Sequence, residues 1–216
     1  AQHLRKQDAR IKVIHNDAKG KNAAIITALR YATGDIIAMT DADILLPENA
    51  LEKVLPYFQN KKTGMTCLSP HLIFNQLKNA TRYASVYETV VRTLKIIESA
   101  VDSVTAPHGQ ALFWRRKIPL QPQRQADDGD LAIQTRKQGY HVKYISDCFF
   151  TEHVTDNTVA LKKQKIRRCK AVIDSLLFHT CVLFNLRYGL FGLLCYPANL
   201  ALYVFAPFIF IALFLT

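Results

Sequence analysis

Two acidic clusters and one basic cluster are the parts of this sequence most able to do chemistry, and they occur in a fixed order. Asp41 and Asp43 follow an apolar segment, three acids lie within residues 127–130, and a basic segment runs from Gln164 to Arg168. Paired carboxylates can bind a divalent cation, a crowded carboxylate can act as a general base, and guanidinium groups can hold phosphate oxygens. The order therefore indicates an enzyme whose leaving group is a polyanion.

The first acidic pair, Asp41 and Asp43, follows the largely apolar run from Asp35 to Thr40. We predict that this run is a strand buried on both faces, as in a parallel sheet. Residues two apart at an extended strand end project to the same side, and α/β sheets bind ligands at the carboxyl ends of their strands. A hard cation such as Mg²⁺ suits this pair, because water and phosphate oxygens can fill its other positions. The alternative is an ordinary surface turn.

The second cluster, Asp127, Asp128 and Asp130, lies at the start of a helix predicted from Asp130 to Gln138. Carboxylates are favoured there by the exposed N–H groups of the first helical turn, so capping can explain one of the three acids. Crowded carboxylates are also common among acid–base catalysts. The cluster is therefore a candidate source of catalytic acids.

The basic segment places Gln164, Arg167 and Arg168 at positions i, i+3 and i+4, which form one face of a helix. The roughly opposite face carries Ile166, Cys169, Ile173, Leu176 and Thr180. We expect this helix to lie along a membrane surface with its apolar face down and its Gln-Arg-Arg face toward the catalytic domain. The guanidinium groups match ligand phosphates, and attraction to lipid headgroups is an alternative that is compatible with that role.

Charge and hydropathy set the last part of the chain apart. The 216 residues carry a net charge of +11, and seven basic residues lie between Lys162 and Arg187 against one acid. No charged residue follows Arg187, so we expect a truncated transmembrane segment with its basic flank in the cytoplasm. Anionic lipid and phosphate explain the charge better than nucleic acid does, because no basic stripe with interleaved aromatic residues is present. The five cysteines contain no Cys-x-x-Cys pair, so neither a disulfide framework nor a zinc site is indicated.

Apolar periodicity predicts alternating strands and helices in the first part of the chain. Strands are predicted at residues 10–15, 35–40, 64–69, 109–116 and 142–145, and helices at 24–32, 47–58, 79–104 and 130–138. This alternation is typical of an α/β sandwich around a mostly parallel sheet. We expect a catalytic domain at 1–155, a basic amphipathic interface region at 156–187 and the membrane segment at 188–216, all within an internal fragment of a longer protein.

Together these segments resemble membrane-associated family 2 glycosyltransferases, the group that contains cellulose, chitin and hyaluronan synthases. The resemblance covers nearly the whole chain. The segments that carry it are Gly20-Lys21-Asn22-Ala23 for the Gly-Lys loop, Asp41-Ala42-Asp43 for Asp-x-Asp, Ala126-Asp127-Asp128 for Thr-Glu-Asp or Gly-Asp-Asp, and Gln164-Lys165-Ile166-Arg167-Arg168 for Gln-x-x-Arg-Trp. Arg168 stands where that signature has a tryptophan, which in polymer synthases helps to form the acceptor site.

The resemblance implies a nucleotide-sugar-binding fold of the GT-A type and an inverting displacement at the anomeric carbon of the sugar. It implies that Asp43 holds Mg²⁺ or Mn²⁺ on the diphosphate, with Asp41 near the metal or the nucleoside. It implies that Asp128 is the general base, with Asp127 as its catalytic neighbour. Further substrate-binding residues expected on this basis are Lys21, Gly109, Gln164, Arg167 and Arg168.

The partners expected from these features are a nucleotide-diphospho-sugar donor, a lipid or glycan acceptor and the cytoplasmic face of the cell membrane, with no nucleic acid. Two alternatives remain open. One is a nucleotidyltransferase of related fold, which would not need the basic helix, and the other is a catalytically degenerate subunit that scaffolds a complex at the membrane. His108 and His153 are candidate ligands or bases, although isolated histidines more often have structural roles.

Overall fold

The computed structural model describes residues 2–16, 20–73, 78–119, 127–154 and 158–205. The described strands are β1 (Ile36–Thr40), β2 (Ile44–Leu45), β3 (Thr63–Ile73), β4 (Ala111–Arg115) and β5 (His141–His153). The described α-helices are α1 (Gln2–Gln7), α2 (Lys21–Tyr31), α3 (Ala50–Val54), α4 (Lys78–Val101), α5 (Asp127–Lys137), α6 (Thr158–Phe178) and α7 (Tyr196–Leu200). Short 3₁₀ turns occur at Leu55–Gln59, Thr180–Val182 and Leu186–Tyr188, and π-helical turns at Phe191–Cys195 and Ala201–Phe205 flank α7.

The strands form one mixed sheet in the order β1-β4-β3-β5-β2. Strand β4 is antiparallel to both β1 and β3, β2 is antiparallel to β5, and only β3 and β5 are parallel. The prediction of a mostly parallel sheet is therefore wrong for the described residues. The prediction that the run from Asp35 to Thr40 is buried on both faces is also wrong, because β1 is an edge strand of the described sheet and its Ala38 and Thr40 are exposed. A continuous apolar run carries no information about the direction of a strand.

Both faces of the sheet are covered at its central strands. Side chains alternate along β4, so Leu112 and Trp114 lie in a core cluster with Leu131 of α5. Phe113 lies in the second cluster, on the other face, together with Val54 of α3. The two clusters make the sheet a rigid support for the loops at its ends.

The strand predicted at residues 10–15 is not formed. Residues 11–16 have no regular structure and belong to no strand of the described sheet. Alternating apolar and polar residues favour a strand only where a neighbouring strand satisfies the backbone N–H and C=O groups. The prediction at this segment is therefore wrong.

Helix α4 carries its apolar side chains on the outside. Val90, Leu94 and Ile97 follow one another at helical spacing and are 53%, 40% and 52% exposed. Lys95 and Asp102, seven residues apart, are buried. This arrangement is the reverse of an ordinary surface helix, in which the apolar face is turned inward. The polar face of α4 is thus held against the body of the protein.

Helix α6 and the turns that follow it pack against α5. Leu176 of α6 is buried in a cluster with Ile133 of α5, Phe191 and Tyr196. The prediction that Leu176 lies on a membrane-facing surface is therefore wrong, because the residue fills the space between two packed helices. Of the predicted apolar face, Ile166 and Cys169 are exposed and Ile173 is half-buried, and Leu177 and Phe178, which are not part of it, are also exposed.

Among the described residues, no helix has both the length and the apolar character needed to span a membrane. The segment expected to do so, residues 188–216, forms the short helical turns and α7 up to Phe205. Residues 206–216 lie outside the described residues.

Candidate active site

The carboxyl end of β1 and the loop that enters β4 meet at one point. The backbone N–H of Asp41 donates to the carbonyl oxygen of Gln110 at 3.1 Å, which extends the β1–β4 pairing by one residue. The neighbouring N–H of Gly109 donates to Oδ2 of Asp128 at 3.1 Å. Gly109 and Gln110, two consecutive residues of one loop, therefore contact Asp128 and Asp41, although these two aspartates are 87 residues apart in the sequence.

The first acidic pair lies just beyond β1. Asp43 is exposed in the turn between β1 and β2, whereas Asp41 is half-buried. Oδ1 of Asp41 lies 3.3 Å from Nζ of Lys21, the first residue of α2. Gly20 precedes that helix with a φ of 106°, a conformation that glycine adopts without strain. The Gly-Lys loop thus places an ammonium group beside the first carboxylate.

The donor set at this strand end is compatible with a hard divalent cation. Asp41 and Asp43 supply two carboxylates, and the described part of the chain holds no group of three or more His, Cys, Asp or Glu arranged around a metal position. Mg²⁺ typically takes one or two carboxylates and completes its octahedron with water and phosphate oxygens. The pair therefore fits a cation bound jointly with a phosphate ligand. It does not fit a structural zinc ion, which needs four protein ligands.

The carboxylate of Asp128 is held by two backbone amides. Oδ2 accepts from Gly109 and Oδ1 accepts from Gly129, at 3.1 and 2.8 Å. The approach to Gly109 is close, because a Cβ at that position would lie 2.8 Å from both Cβ and Oδ2 of Asp128. Gly109, expected as a substrate-binding residue, is thus the residue on which Asp128 is seated: its N–H holds the carboxylate, and its lack of a side chain leaves room for Asp128. The side chain of Asp127 lies outside the described residues.

The third acid of the second cluster has a structural role. Asp130 is fully buried, and its Oδ1 lies 2.7 Å from Nε2 of His179, which is also buried. The contact joins the first turn of α5 to the residue that follows α6. Asp130 is therefore inaccessible to a substrate, and it fixes the position of α6 relative to Asp128.

The basic helix turns one of its two arginines toward the domain. Nη2 of Arg168 lies 3.5 Å from Oε1 of Glu152 near the end of β5. Gln164, one turn earlier on the same face, is half-buried, whereas Arg167 is exposed. Arg168 is exposed as well, at 51% of its side chain, so its contact with Glu152 and the half-burial of Gln164 are what indicate the side of α6 that faces the domain.

Sequence reasoning missed Lys95 of α4. Its Nζ lies 2.9 Å from Nε2 of His108, the residue before Gly109. Burial lowers the pKa of Lys95, and it lowers the pKa of His108 well below the usual value, with Lys95 and Arg168 adding to the effect on His108. A signal was present in the sequence, because Glu88, Lys95 and Asp102 are charged residues seven apart and so lie along one face of the helix predicted at 79–104.

Comparison with known proteins identifies one family and several similar proteins. The profile of the family described as Glycosyl transferase family 2 matches residues 1–119, which is more than half of the chain. A stretch of 64 residues is 36% identical to the beta-monoglucosyldiacylglycerol synthase of Synechocystis sp. and covers 28% of this chain and 13% of that protein.

The fold is similar to that of the mannosyltransferase PcManGT from Pyrobaculum calidifontis, solved in complex with GDP-Man and Mn²⁺, with a TM-score of 0.70 and 22% identity. That similarity covers 88% of this chain and 51% of the mannosyltransferase, so the chain spans about half the length of that protein. A weaker similarity, with a TM-score of 0.45 and 15% identity over 79% of this chain and 58% of the other, is to glucosyl-3-phosphoglycerate synthase from Mycobacterium tuberculosis in complex with Mn²⁺, UDP-glucose and glycerol 3-phosphate.

The first structural similarity shows a shared α/β fold of the GT-A type, with a mixed sheet. The family match favours a glycosyltransferase over the nucleotidyltransferase alternative. Because the family profile covers more than half of it, the chain belongs to glycosyl transferase family 2, and the prediction of a glycosyltransferase is confirmed at the level of the family.

Proposed function

We propose that this chain is the catalytic part of an inverting, metal-dependent glycosyltransferase that moves a sugar from a nucleotide-diphospho-sugar to a lipid or glycan acceptor at the cytoplasmic face of a membrane. The observation that carries the proposal is the loop at Gly109 and Gln110, which holds Asp128 and Asp41 at adjacent residues. This arrangement supports a general base that acts beside a pair of phosphate-directed carboxylates at the carboxyl end of β1.

Asp128 has the geometry of a general base for an acceptor hydroxyl. A sugar or lipid hydroxyl is a weak acid, so it needs a proton acceptor within hydrogen-bond reach as it attacks the anomeric carbon. The two amides from Gly109 and Gly129 orient the carboxylate of Asp128, which is only half-buried and so remains open to the acceptor. Attack from the side opposite the diphosphate inverts the anomeric configuration.

The departing nucleoside diphosphate gains negative charge that must be neutralised. Asp41 and Asp43 are the residues that would hold Mg²⁺ or Mn²⁺, and the cation would supply Lewis-acid charge to the diphosphate. Lys21 lies beside Asp41 and is positioned to contact the same phosphates. Arg168 and Gln164, on the domain-facing side of α6, are the candidates for contacting the diphosphate or the acceptor end.

Attachment to a membrane is supported by the exposed apolar side chains near the basic helix. Ile166 and Leu177 are 47% and 53% exposed on α6, whose lysines are also exposed. Leu186, Leu194 and Phe205 add further exposed apolar surface in the turns that follow. Apolar surface next to basic residues is the combination that binds the interface of an anionic bilayer.

The decisive chemical test uses Asp128→Asn in the full-length protein, with radiolabelled GDP-mannose and UDP-glucose as donors and native membranes as the acceptor source. We expect donor affinity to be retained and sugar transfer to fall by at least about 10²-fold, the usual scale for loss of a general base. Asp147→Asn is the matched control, because Asp147 is an exposed acid whose carboxylate pairs on the surface with Lys53 of α3, 2.9 Å away. Near-normal transfer by Asp128→Asn would refute the assignment of the base.

Two binding experiments test the remaining parts. Asp43→Ala should abolish the Mn²⁺-dependent part of donor binding measured by calorimetry, and unchanged binding with and without chelator would remove the metal assignment. The double variant Ile166→Asp and Leu177→Asp should weaken co-sedimentation of the 216-residue chain with phosphatidylglycerol vesicles. Leu51→Asp, an equally exposed leucine on α3, is the control and should co-sediment like the unmodified chain.

A further inference from the structure

Lys95 is buried next to the loop that holds Asp128, and the proposed metal-binding and phosphate-binding roles do not involve it. Lys95 is only 8% exposed, and its Nζ lies 2.9 Å from Nε2 of His108. Removing an ammonium group from water is costly unless it is paired, and burial accordingly lowers the pKa of Lys95. A hydrophobic side chain of similar length would fill the same space without that cost. The position of the amino group therefore calls for a specific explanation.

The partner of Lys95 is a histidine in a defined environment. The ring of His108 lies 6.3 Å from that of Tyr144 and 6.4 Å from that of Phe150, measured between centroids. Burial lowers the pKa of His108, and the positive charges of Lys95 and Arg168 lower it further, so the imidazole is neutral. When Lys95 is protonated its ammonium group can only donate hydrogen bonds, so Nε2 of His108 accepts and the ring proton lies on Nδ1.

His108 is covalently continuous with the seat of the candidate base. The next residue is Gly109, whose N–H donates to Asp128 and whose Cα is too close to Asp128 to carry a side chain without a shift. Any rotation of the backbone at residues 108 and 109 would therefore move or release the carboxylate. Lys95 and His108 are the contacts that anchor this backbone from the side of α4.

We propose that Lys95 is a positioning residue for Asp128, acting through His108, which fixes the backbone whose amide holds the Asp128 carboxylate. This role rests on the proposed function of Asp128 as the general base. It predicts that loss of the Lys95 amino group lowers the rate of the chemical step and leaves binding of the donor unchanged.

The principal variant is Lys95→Met, which keeps the length of the side chain and removes only the amino group. With the full-length protein, and with the sugar nucleotide that the unmodified protein accepts among GDP-mannose and UDP-glucose, we expect kcat to fall about tenfold with an unchanged donor KM. Displacement of a reacting group by about 1 Å typically costs 10²-fold, and a smaller displacement is expected here. Lys143→Met is the matched control, since Lys143 is half-buried but donates only to the carbonyls of Ser99 and Asp102.

Two further readouts separate positioning from a general loss of stability. If Lys95 acts through His108, the double variant Lys95→Met/His108→Ala should lose no more kcat than His108→Ala alone. Nitrogen-15 NMR of histidine-labelled protein should show His108 as the Nδ1–H tautomer, and Lys95→Met should change that tautomer or populate both forms. A general folding defect would change the signals of all the histidine rings, whereas loss of the Lys95 contact should change those of His108 alone.

The outcomes also separate this role from the proposed function. Wild-type kcat in Lys95→Met, beside a loss of at least about 10²-fold in Asp128→Asn, would overturn the positioning role alone. The same holds if the losses of the two single variants multiply in the double variant, or if His108 has the Nε2–H tautomer in the unmodified protein. Absence of transfer by the unmodified protein with either donor would overturn the proposed function and the positioning role with it.

Discussion

The most specific prediction concerns Gly109→Ala, which tests whether Asp128 sits on this residue. The backbone at Gly109 is not in the left-handed region, so alanine is allowed there by its own conformation. The added methyl group would lie 2.8 Å from Cβ and Oδ2 of Asp128 and 3.0 Å from its carboxyl carbon. Ordinary contacts at such positions are 3.4 Å or longer, so the methyl group and the aspartate must separate by at least about 0.6 Å.

A shift of this size affects the reaction through the geometry of proton transfer. Moving a catalytic group by about 1 Å typically costs about 10²-fold in rate, or about 2.7 kcal/mol of transition-state stabilisation. We expect Gly109→Ala to lower kcat by about 10- to 100-fold and to leave donor affinity unchanged. The measurement is initial-rate transfer from the radiolabelled donor, together with calorimetric binding of the same donor.

Gly34→Ala is the matched control for this substitution. Gly34 also has an ordinary backbone conformation, and a Cβ there would meet only the carbonyl oxygen of Ile36 at 3.4 Å. Its transfer rate should be that of the unmodified protein. If Gly109→Ala keeps full activity, Asp128 is not seated on Gly109 during the reaction, and the argument that places the base at this loop is wrong.

Three further predictions concern stability. Gly129→Ala should raise the free energy of unfolding by about 0.5–1 kcal/mol in urea titrations, because alanine favours a helix more than glycine does. The added Cβ would lie 3.7 Å from Ser175 Oγ, which is an ordinary contact, so a destabilised variant would contradict the packing at the start of α5. His179→Ala should cost about 3–5 kcal/mol, because it removes the imidazole from a fully buried carboxylate, and a loss below about 1 kcal/mol would show that the contact with Asp130 is unimportant. Burial raises the pKa of Glu98 from 4.5 to about 7, so the folded protein holds this proton more tightly than the unfolded chain does, and stability should fall as pH rises from about 5 to 8. Glu98→Gln should flatten that part of the pH profile, and an unchanged slope would assign it to another group.

Many candidate residues of this site were recognisable in the sequence because the relevant signals are local. Asp41 and Asp43 follow an apolar strand, and the basic face of α6 repeats at helical spacing. Most of the strands and helices after residue 24 also lie within a few residues of their predicted bounds, since hydrophobic periodicity reports which side chains are covered. The predicted order of the three clusters was sufficient to indicate the family.

The features that could not be predicted depend on contacts between distant segments. The three acids of the second cluster looked alike in sequence. Asp130 nevertheless has a structural role, because it contacts His179, which lies 49 residues further along the chain. The sequence around Leu176 is equally compatible with a membrane-facing position and with a core position, and only the packing against α5 decides between the two. Lys95 is buried because the polar face of α4 is turned inward, and the spacing of Glu88 and Lys95 marks that face without showing which way it is turned.

The direction of β4, which the sequence did not reveal, is what assembles the site. Strand β4 pairs with β1 in antiparallel register, with Ala111 opposite Thr40. The residues that enter β4, Gly109 and Gln110, therefore lie at the carboxyl end of β1, beside Asp41. A parallel β4 would have its entrance at the other end of β1, and the amide that holds Asp128 would be separated from Asp41 and Asp43 by the length of the strand. The antiparallel direction of β4 is thus what brings the carboxylate of Asp128 to the same end of the sheet as Asp41, and the proposed function depends on it.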